Sequence, residues 1–252
     1  MIMIGLVVLI TVFIFGITIG SFLNVCIYRI PNKEDIVKER SHCMSCGHTL
    51  AWYDLVPLFS YLGLRGRCRY CQTKLSIQYP VIEALNGAIY VIVVLVNGVS
   101  VDSLLYCLLG SALLALSVID FRTYEIPVGF NIFIAVLGLV KVVTDYGNWL
   151  NYLIGAVCVS LPLAIIYYAS KGRAIGGGDV KLMTASGLLL GWQNILLAFV
   201  IGCVLGSIIH LVRMKLTKAE HVLAMGPYLS GGVLIAALWG NYIINWYMGA
   251  FL

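Results

Sequence analysis

The chain has 252 residues, of which 61% are hydrophobic and 11% are charged, and its mean hydropathy is +0.98. Soluble domains carry about 25% charged residues, so this composition excludes a soluble domain and indicates extensive contact with a lipid bilayer. The net charge of +5 is compatible with nucleic-acid binding. However, the basic residues cluster between apolar segments, which indicates membrane orientation instead, and we expect no nucleic-acid partner.

Apolar segments of about 18 or more residues can cross a bilayer as helices. Eight are predicted in chain order, near residues 3–27, 80–97, 103–120, 127–144, 149–169, 180–191, 193–213 and 226–248. The sixth is short, and Gly187 and Gly191 favour a kink or an early end, so seven spans is the alternative. The first segment has no preceding basic residue and is too long for a signal-peptide core. We therefore expect it to be a retained helix.

The first loop, residues 29–79, contains two Cys-x-x-Cys pairs. The four cysteines are Cys43, Cys46, Cys68 and Cys71. This spacing is typical of a closed, tetrahedral structural zinc site, and metal ligation can replace much of the core that so short a segment lacks. Two disulfides, which a reducing cytoplasm disfavours, or a redox pair are the alternatives. His42 and His48 lie nearby as substitute ligands, but we favour solvent exposure for both.

The basic residues predict the orientation of the helices. With eight spans, 15 of the 16 Lys and Arg residues fall on one side, and only Lys141 falls near the other. The 15 are Arg29, Lys33, Lys38, Arg40, Arg65, Arg67, Arg69, Lys74, Arg122, Lys171, Arg173, Lys181, Arg213, Lys215 and Lys218. By the positive-inside rule this side is cytoplasmic, and the N-terminus lies outside.

Two acids, Asp120 and Asp179, then lie at the same cytoplasmic boundary, and ionisable groups at such positions are costly and often functional. Two carboxyls held close together share one proton, so the pair can activate water and polarise a scissile carbonyl. The glycine run 176–178 would let a substrate backbone approach. The alternatives are that Asp179 caps the next helix and that Asp120 pairs with Arg122. Glu125 is expected to be a solvated loop charge.

The chain resembles the type IV prepilin peptidases, which are bifunctional leader peptidases and N-methyltransferases of bacterial pilus, competence and secretion systems. The resemblance covers nearly the whole chain. It includes residues 20–31, both cysteine pairs, and the segments 66–71, 79–83, 120–127, 176–181 and 225–229. The chain departs from the family pattern at Met44, Leu55 and Gln78, none of which is one of the acids or cysteines.

This resemblance implies an aspartic protease of the Gly-x-Gly-Asp type, with Asp120 and Asp179 as the catalytic pair. It implies prepilin or pseudopilin substrates, cleaved after a glycine at the cytoplasmic face of the bacterial inner membrane. It also implies methylation of the new N-terminus by S-adenosylmethionine. No residue is assigned to that cofactor by motif. Asn24 and Glu83 are candidates, which hydrogen bonds between packed helices explain equally well.

The predicted fold class is an all-α polytopic membrane protein of about eight transmembrane helices with a small cytoplasmic tetracysteine zinc-binding domain. The predicted domains are the first transmembrane helix (1–28), the zinc-binding domain associated with the methyltransferase half (29–79) and the aspartic peptidase domain (80–252). A proton-coupled transporter would use the two acids but leaves the cysteine pairs unexplained. A membrane thiol oxidoreductase would use the cysteines through cycling disulfides. A presenilin-like protease would share the glycine and Asp motif but lacks the cysteine segment.

Overall fold

A computed structural model describes residues 2–216 and 223–251. Its ten α-helices are α1 (Ile2–Asn32), α2 (Phe59–Gly63), α3 (Gln78–Asn97), α4 (Val101–Thr123), α5 (Val128–Thr144), α6 (Trp149–Cys158), α7 (Ser160–Ala169), α8 (Gly177–Leu190), α9 (Trp192–Leu216) and α10 (Gly226–Phe251). Short 3₁₀ turns span Trp52–Leu55 and Tyr146–Asn148. The predicted all-α class is confirmed.

All eight predicted apolar segments are helical. Six helical stretches in the described part of the chain are long and apolar enough to cross a membrane. They are Gly5–Asn32, Gln78–Asn97, Val101–Thr123, Tyr146–Ala169, Trp192–Lys215 and Gly226–Ala250. The other two are shorter, since α5 has 17 residues and α8 has 14. The chain is therefore a multi-pass membrane protein.

The fifth predicted segment consists of two helices, α6 and α7, which meet at Val159. Pro162 lies in the first turn of α7 and has no N–H to donate to the carbonyl of Cys158. Its ring also collides with that carbonyl in a continuous α-helix. The interruption therefore follows from the position of the proline.

The chain forms two compact units, Met1–Ser103 and Leu104–Leu252. In the first unit α1 packs closely on α3 through glycines. A Cβ atom on Gly16 would lie 2.7 Å from the Cα atom of Gly87, and one on Gly20 would lie 2.8 Å from the Cα atom of Glu83. Small residues allow such close approach of membrane helices. The Asn86 side chain adds a hydrogen bond of 2.7 Å to the Gly16 carbonyl.

The second unit is built around α8. Leu182, Met183 and Leu189 of this helix are fully buried in the main hydrophobic cluster. Gly187 lies against the backbone of Gly155 in α6, where a Cβ atom on either residue would overlap the other. Gly191, with φ of +80°, ends the helix. The short sixth segment is thus mainly a core helix, which explains why it needs no full membrane length.

The compact units divide the chain differently from the predicted domains, because α3 packs with α1 in the first unit. The predicted functional boundaries at residues 28 and 79 stay predictions. Of the basic residues used to predict orientation, Lys218 lies outside the described residues.

Candidate active site and metal centre

Asp120 lies in the last turn of α4 and is only 5% exposed. Its carboxylate oxygen Oδ2 accepts the backbone N–H of Gly226 at 2.9 Å. Gly226 is the first residue of α10, and the N–H groups of a first helical turn have no partner inside the helix. The positive end of the α10 dipole therefore faces this carboxylate and favours its negative charge.

Asp179 is half-buried and is the third residue of α8. The alternative prediction that it caps this helix is wrong in position, because Gly176 is the N-cap residue. The Asp179 carboxylate instead lies back against the backbone of Gly176. A Cβ atom on Gly176 would lie 3.0 Å from Asp179 Oδ2. Glycine at the cap therefore leaves the carboxylate accessible.

The loop that leaves α4 brings the two acids to the same end of the second unit. Ile126 in this loop packs on Gly178, where a Cβ atom would lie 2.9 Å from the Ile126 Cβ atom. Burial and the charge of Asp120 both raise the pKa of Asp179. Glu125 in the same loop is exposed, as expected of a solvated charge.

Two further contacts at this end were not predicted from the sequence. The Gly226 N–H bond to Asp120 joins residues 106 positions apart. The Arg213 guanidinium of α9 lies 5.8 Å from the centre of the Phe121 ring, next to Asp120. The segment 225–229 is part of the family resemblance, but nothing in the sequence shows that Gly226 contacts Asp120.

The four predicted zinc ligands come together in the first unit. The Sγ atoms of Cys43, Cys46, Cys68 and Cys71 all lie within 4.8 Å of one another. A zinc ion bound at about 2.3 Å from each sulfur in a tetrahedron requires sulfur atoms about 3.8 Å apart. The Cys43 and Cys71 sulfur atoms are 3.8 Å apart. The cluster therefore fits a tetrahedral zinc ion, and its convergence on one point is unlike two separate disulfides.

Each cysteine pair lies in a tight turn of the same design. The Cys43 N–H donates to the His48 carbonyl and the Cys68 N–H to the Thr73 carbonyl, both at 2.9 Å. The residue after each second cysteine has positive φ, +68° at Gly47 and +58° at Gln72. The two turns thus present their sulfur atoms in the same way. We call residues 42–74, which contain both turns, the tetracysteine segment.

Hydrogen bonds in these turns favour thiolates, which are the form that binds metal. Bonds with the Thr73 side chain and backbone lower the pKa of Cys71 to about 6. The backbone N–H groups of Cys46 and Ser45 lower the pKa of Cys43. Cys46 is the exception. A bond from the His48 N–H lowers its pKa, but burial and bonds with the Cys43 and Cys71 thiols outweigh this bond and raise the pKa to about 11. Two of the four sulfurs are thus favoured as thiolates before a metal ion binds.

Contacts between side chains join the two turns. The His48 ring stacks on Tyr70, with centroids 3.6 Å apart. Arg69 forms an ion pair of 2.7 Å with Asp54. Arg69 therefore stabilises the tetracysteine segment from within. His42 and His48 are exposed and lie outside the thiol cluster, as expected.

The fold places the chain among polytopic helical membrane proteins, with a tetracysteine cluster in its first unit. Two family models match it. The model described as "Bacterial Peptidase A24 N-terminal domain" matches residues 14–97, and the one described as "Type IV leader peptidase family" matches residues 107–211. The chain belongs to the type IV leader peptidase family, which confirms the predicted resemblance.

Three relatives share the name "Prepilin leader peptidase/N-methyltransferase". The protein from Pseudomonas putida is 31% identical over 91% of this chain and 90% of its own length. The one from Aeromonas hydrophila is 32% identical over 96% and 94%, and the one from Bacillus subtilis (strain 168) is 30% identical over 94% and 96%. No solved structure matches the chain.

Proposed function

We propose that this protein cleaves the leader of prepilin-like proteins, with Asp120 and Asp179 as the catalytic pair. The observation that supports the proposal is that the loop after Asp120 packs on the glycine run before Asp179, which brings both acids to one end of the second unit, each beside a helix N-terminus. The type IV leader peptidase match at residues 107–211 covers both acids. Substrates are prepilins or pseudopilins, as the names of the relatives suggest.

In the proposed reaction one carboxyl is ionised and the other is protonated. The ionised carboxylate takes a proton from water as the water oxygen attacks the carbonyl carbon. The protonated carboxyl donates its proton to the carbonyl oxygen, which avoids a free oxyanion. One carboxyl then donates a proton to the amine nitrogen as the C–N bond breaks, and a hydroxyl of the tetrahedral intermediate returns its proton to the other carboxylate. The products are the leader carboxylate and a new N-terminal amine.

The helix N-termini give the two acids fixed positions for this reaction. The Gly226 N–H holds Asp120, and the Asp179 carboxylate lies against the Gly176 backbone. Asp120 is the more buried of the two, whereas Asp179 is partly open to the surroundings. A substrate carbonyl and a water molecule would therefore approach from the side of Asp179 and the glycine run before it.

We propose that the site faces the cytoplasm of a bacterial cell at its inner membrane. The distribution of Lys and Arg supports this orientation. A leader that has not crossed the membrane is then within reach of the acid pair.

Isosteric substitution tests the acid pair. Asp120→Asn and Asp179→Asn each remove one ionisable group, so we expect cleavage of a purified prepilin to fall about 10²–10⁴-fold. Glu125→Gln, an exposed acid in the loop between them, is the matched control and should cleave normally. Full cleavage by either Asp variant would contradict the proposed pair.

We further propose that the new N-terminus is methylated, as the relatives' shared name suggests. S-adenosylmethionine, when bound, supplies the methyl group. The substrate's neutral amine nitrogen forms a bond to the methyl carbon as the methyl–sulfur bond breaks. The electron pair stays on sulfur, and a proton leaves the amine to water. Incubation with a prepilin and methyl-labelled S-adenosylmethionine tests this half, since shortening without label on the mature N-terminus would contradict it.

The tetracysteine segment is proposed to bind one structural zinc ion through Cys43, Cys46, Cys68 and Cys71. Four thiolates leave no open position for a substrate. The ion would instead hold the two turns together in a segment with few buried apolar residues.

A further inference from the structure

A cavity of about 360 Å³ lies within the first unit, bounded by α1, the start of α3 and the tetracysteine segment. Its volume is in the range of small-molecule sites, about 300–1,000 Å³. Side chains of both charges line it, together with apolar and aromatic groups. None of the residues used for the proposed peptidase reaction takes part.

Glu83 is the most unusual residue of the cavity wall. It is 7% exposed, and its oxygen Oε2 accepts the backbone N–H of Leu58 at 2.8 Å. The Ser21 side chain also hydrogen-bonds to it. Buried charges are normally paired with an opposite charge, yet no Lys or Arg among the described residues forms an ion pair with Glu83. The wall thus offers a carboxyl group with no cationic partner in the described part of the chain, which a cationic ligand would stabilise in its ionised form.

The backbone that Glu83 holds is strained. Leu58 has φ of +61° and ψ of −50°, and the Phe59 N–H donates to the Pro57 carbonyl at 2.6 Å. This is a γ-turn of the rare positive-φ type. A strained backbone conformation of this kind persists only where surrounding contacts impose it, and such conformations are common at ligand-binding sites. The bond from Leu58 to Glu83 supplies such a contact.

A positive charge stands in the same cavity wall. Arg29 is 5% exposed, and its guanidinium donates to the carbonyls of Asp35 and Glu39 at 3.0 and 2.9 Å. Residues 33–40 therefore lie around the guanidinium, and their neutral carbonyls accept its hydrogen bonds without neutralising its charge. The cavity therefore suits a ligand that carries a carboxylate as well as a cationic group.

The rest of the lining suits a flat, uncharged ring. Leu50, Leu64 and Tyr61 border the cavity, and an apolar or aromatic wall favours stacking of a heterocycle. Asn24 contributes a polar edge. However, its side-chain amide already donates to the Tyr79 carbonyl at 3.1 Å and accepts from Gln78 at 3.3 Å, so we assign Asn24 to helix packing.

We propose that this cavity is the binding site for S-adenosylmethionine, with the Glu83 carboxylate beside the sulfonium group of the methyl donor. Arg29 would face its carboxylate, and the leucines and Tyr61 would face its purine ring. The inference rests on the proposed methyltransferase function and adds the site and its charge-selecting residue. Glu83 acts here as a binding residue and transfers no proton.

Binding is tested on the full-length protein in detergent micelles, by calorimetry with S-adenosylmethionine and with S-adenosylhomocysteine. The second compound lacks the sulfonium charge. Glu83→Gln should weaken binding of S-adenosylmethionine about 10–100-fold, because the attraction between the carboxylate and the sulfonium charge is lost, and should weaken S-adenosylhomocysteine binding less. Asp102→Asn, at an acid of the same unit that does not line the cavity, is the control and should bind both compounds normally.

A second variant keeps the test decisive if Glu83→Gln does not fold. Val25→Phe places bulk into the cavity from α1 and should lower affinity for both compounds. Zinc content and leader cleavage report whether each variant is folded. If zinc is retained and both variants bind S-adenosylmethionine like the wild type, the proposed site is wrong while methyl transfer can still stand. If the wild type neither binds the donor nor labels a prepilin, the methyltransferase function itself fails, and the site falls with it.

The leader peptide is the other candidate ligand for this cavity, and the variants distinguish the two. A Val25→Phe protein that needs more prepilin for half-maximal cleavage, yet binds S-adenosylmethionine normally, would assign the cavity to the peptide and overturn our proposal.

Discussion

The carboxylate of Asp120 and the backbone N–H of Gly226 form a buried hydrogen bond of 2.9 Å. The bond joins the end of α4 to the start of α10. A Cβ atom on Gly226 would lie 2.6 Å from Asp120 Oδ2 and 2.9 Å from its Cγ. Glycine is therefore required at residue 226 by the carboxylate itself, not by the backbone angles of the helix.

This contact predicts the effect of a single methyl group. Gly226→Ala should displace the Asp120 carboxylate and reduce prepilin cleavage about 100-fold, as misplacement of a reacting group by about 1 Å can do. Gly231→Ala lies in the same helix, where the new Cβ atom would be 3.7 Å from Leu205, and should cleave normally. Equal cleavage by the two variants would show that Asp120 does not need its present position.

The cysteine cluster predicts one zinc ion per chain. Cys43→Ser or Cys71→Ser should lower the zinc content measured by atomic absorption and expose the remaining thiols to an alkylating reagent. Cys203→Ser, in α9 and away from the cluster, should keep one zinc ion. A wild-type protein that is free of zinc, with cycling disulfides at these cysteines, would favour the thiol oxidoreductase alternative.

The two turns of the tetracysteine segment predict a stabilising substitution. Gln72 has φ of +58°, a conformation that costs a residue with a Cβ atom roughly 1–2 kcal/mol. Gln72→Gly should therefore hold zinc more tightly against a chelator than Gln72→Ala, by about 1 kcal/mol or more. Both variants lose the side-chain bond to the Arg69 carbonyl, so their difference isolates the backbone. No difference would mean that this turn relaxes when zinc leaves.

The orientation of the chain can be tested with single cysteines. Gly147 has open space around its Cα atom and lies in the connection between α5 and α6, which is predicted to be outside. A membrane-impermeant maleimide should label Gly147→Cys on intact cells above the wild-type level. Glu125→Cys, predicted to be cytoplasmic, should be labelled only after the cells are opened. The opposite pattern would reverse the proposed topology.

The sequence was sufficient for features that depend on local spacing, whereas depth in the membrane stays a prediction. The Cys-x-x-Cys spacing predicted a cluster that the structure forms within 4.8 Å. Alternation of apolar segments predicted that Asp120 and Asp179 lie at the same boundary. Pro162 also predicts the interruption between α6 and α7, although we expected one continuous segment there.

Other features depend on packing that an apolar sequence does not specify. Lipid-facing and protein-facing helices have the same composition, so the burial of α8 could not be read from its residues. The bond from Gly226 to Asp120 and the cavity beside Glu83 need contacts between distant segments. The start of α8 also could not be predicted exactly. Gly176 is the N-cap residue, so Asp179 lies in the first turn and not at the cap position.

The burial of α8 sets how far into the bilayer the proposed enzyme can work. After Thr184 every residue of this helix is buried or half-buried, so its deeper half is enclosed by protein. A hydrophobic substrate segment would have no exposed surface of α8 to follow inward from Asp179. In the proposed reaction the position of the cleaved bond is therefore set by its distance from the membrane surface. The cleaved bond would lie at the junction of the basic leader and the apolar segment, whatever the length of that segment.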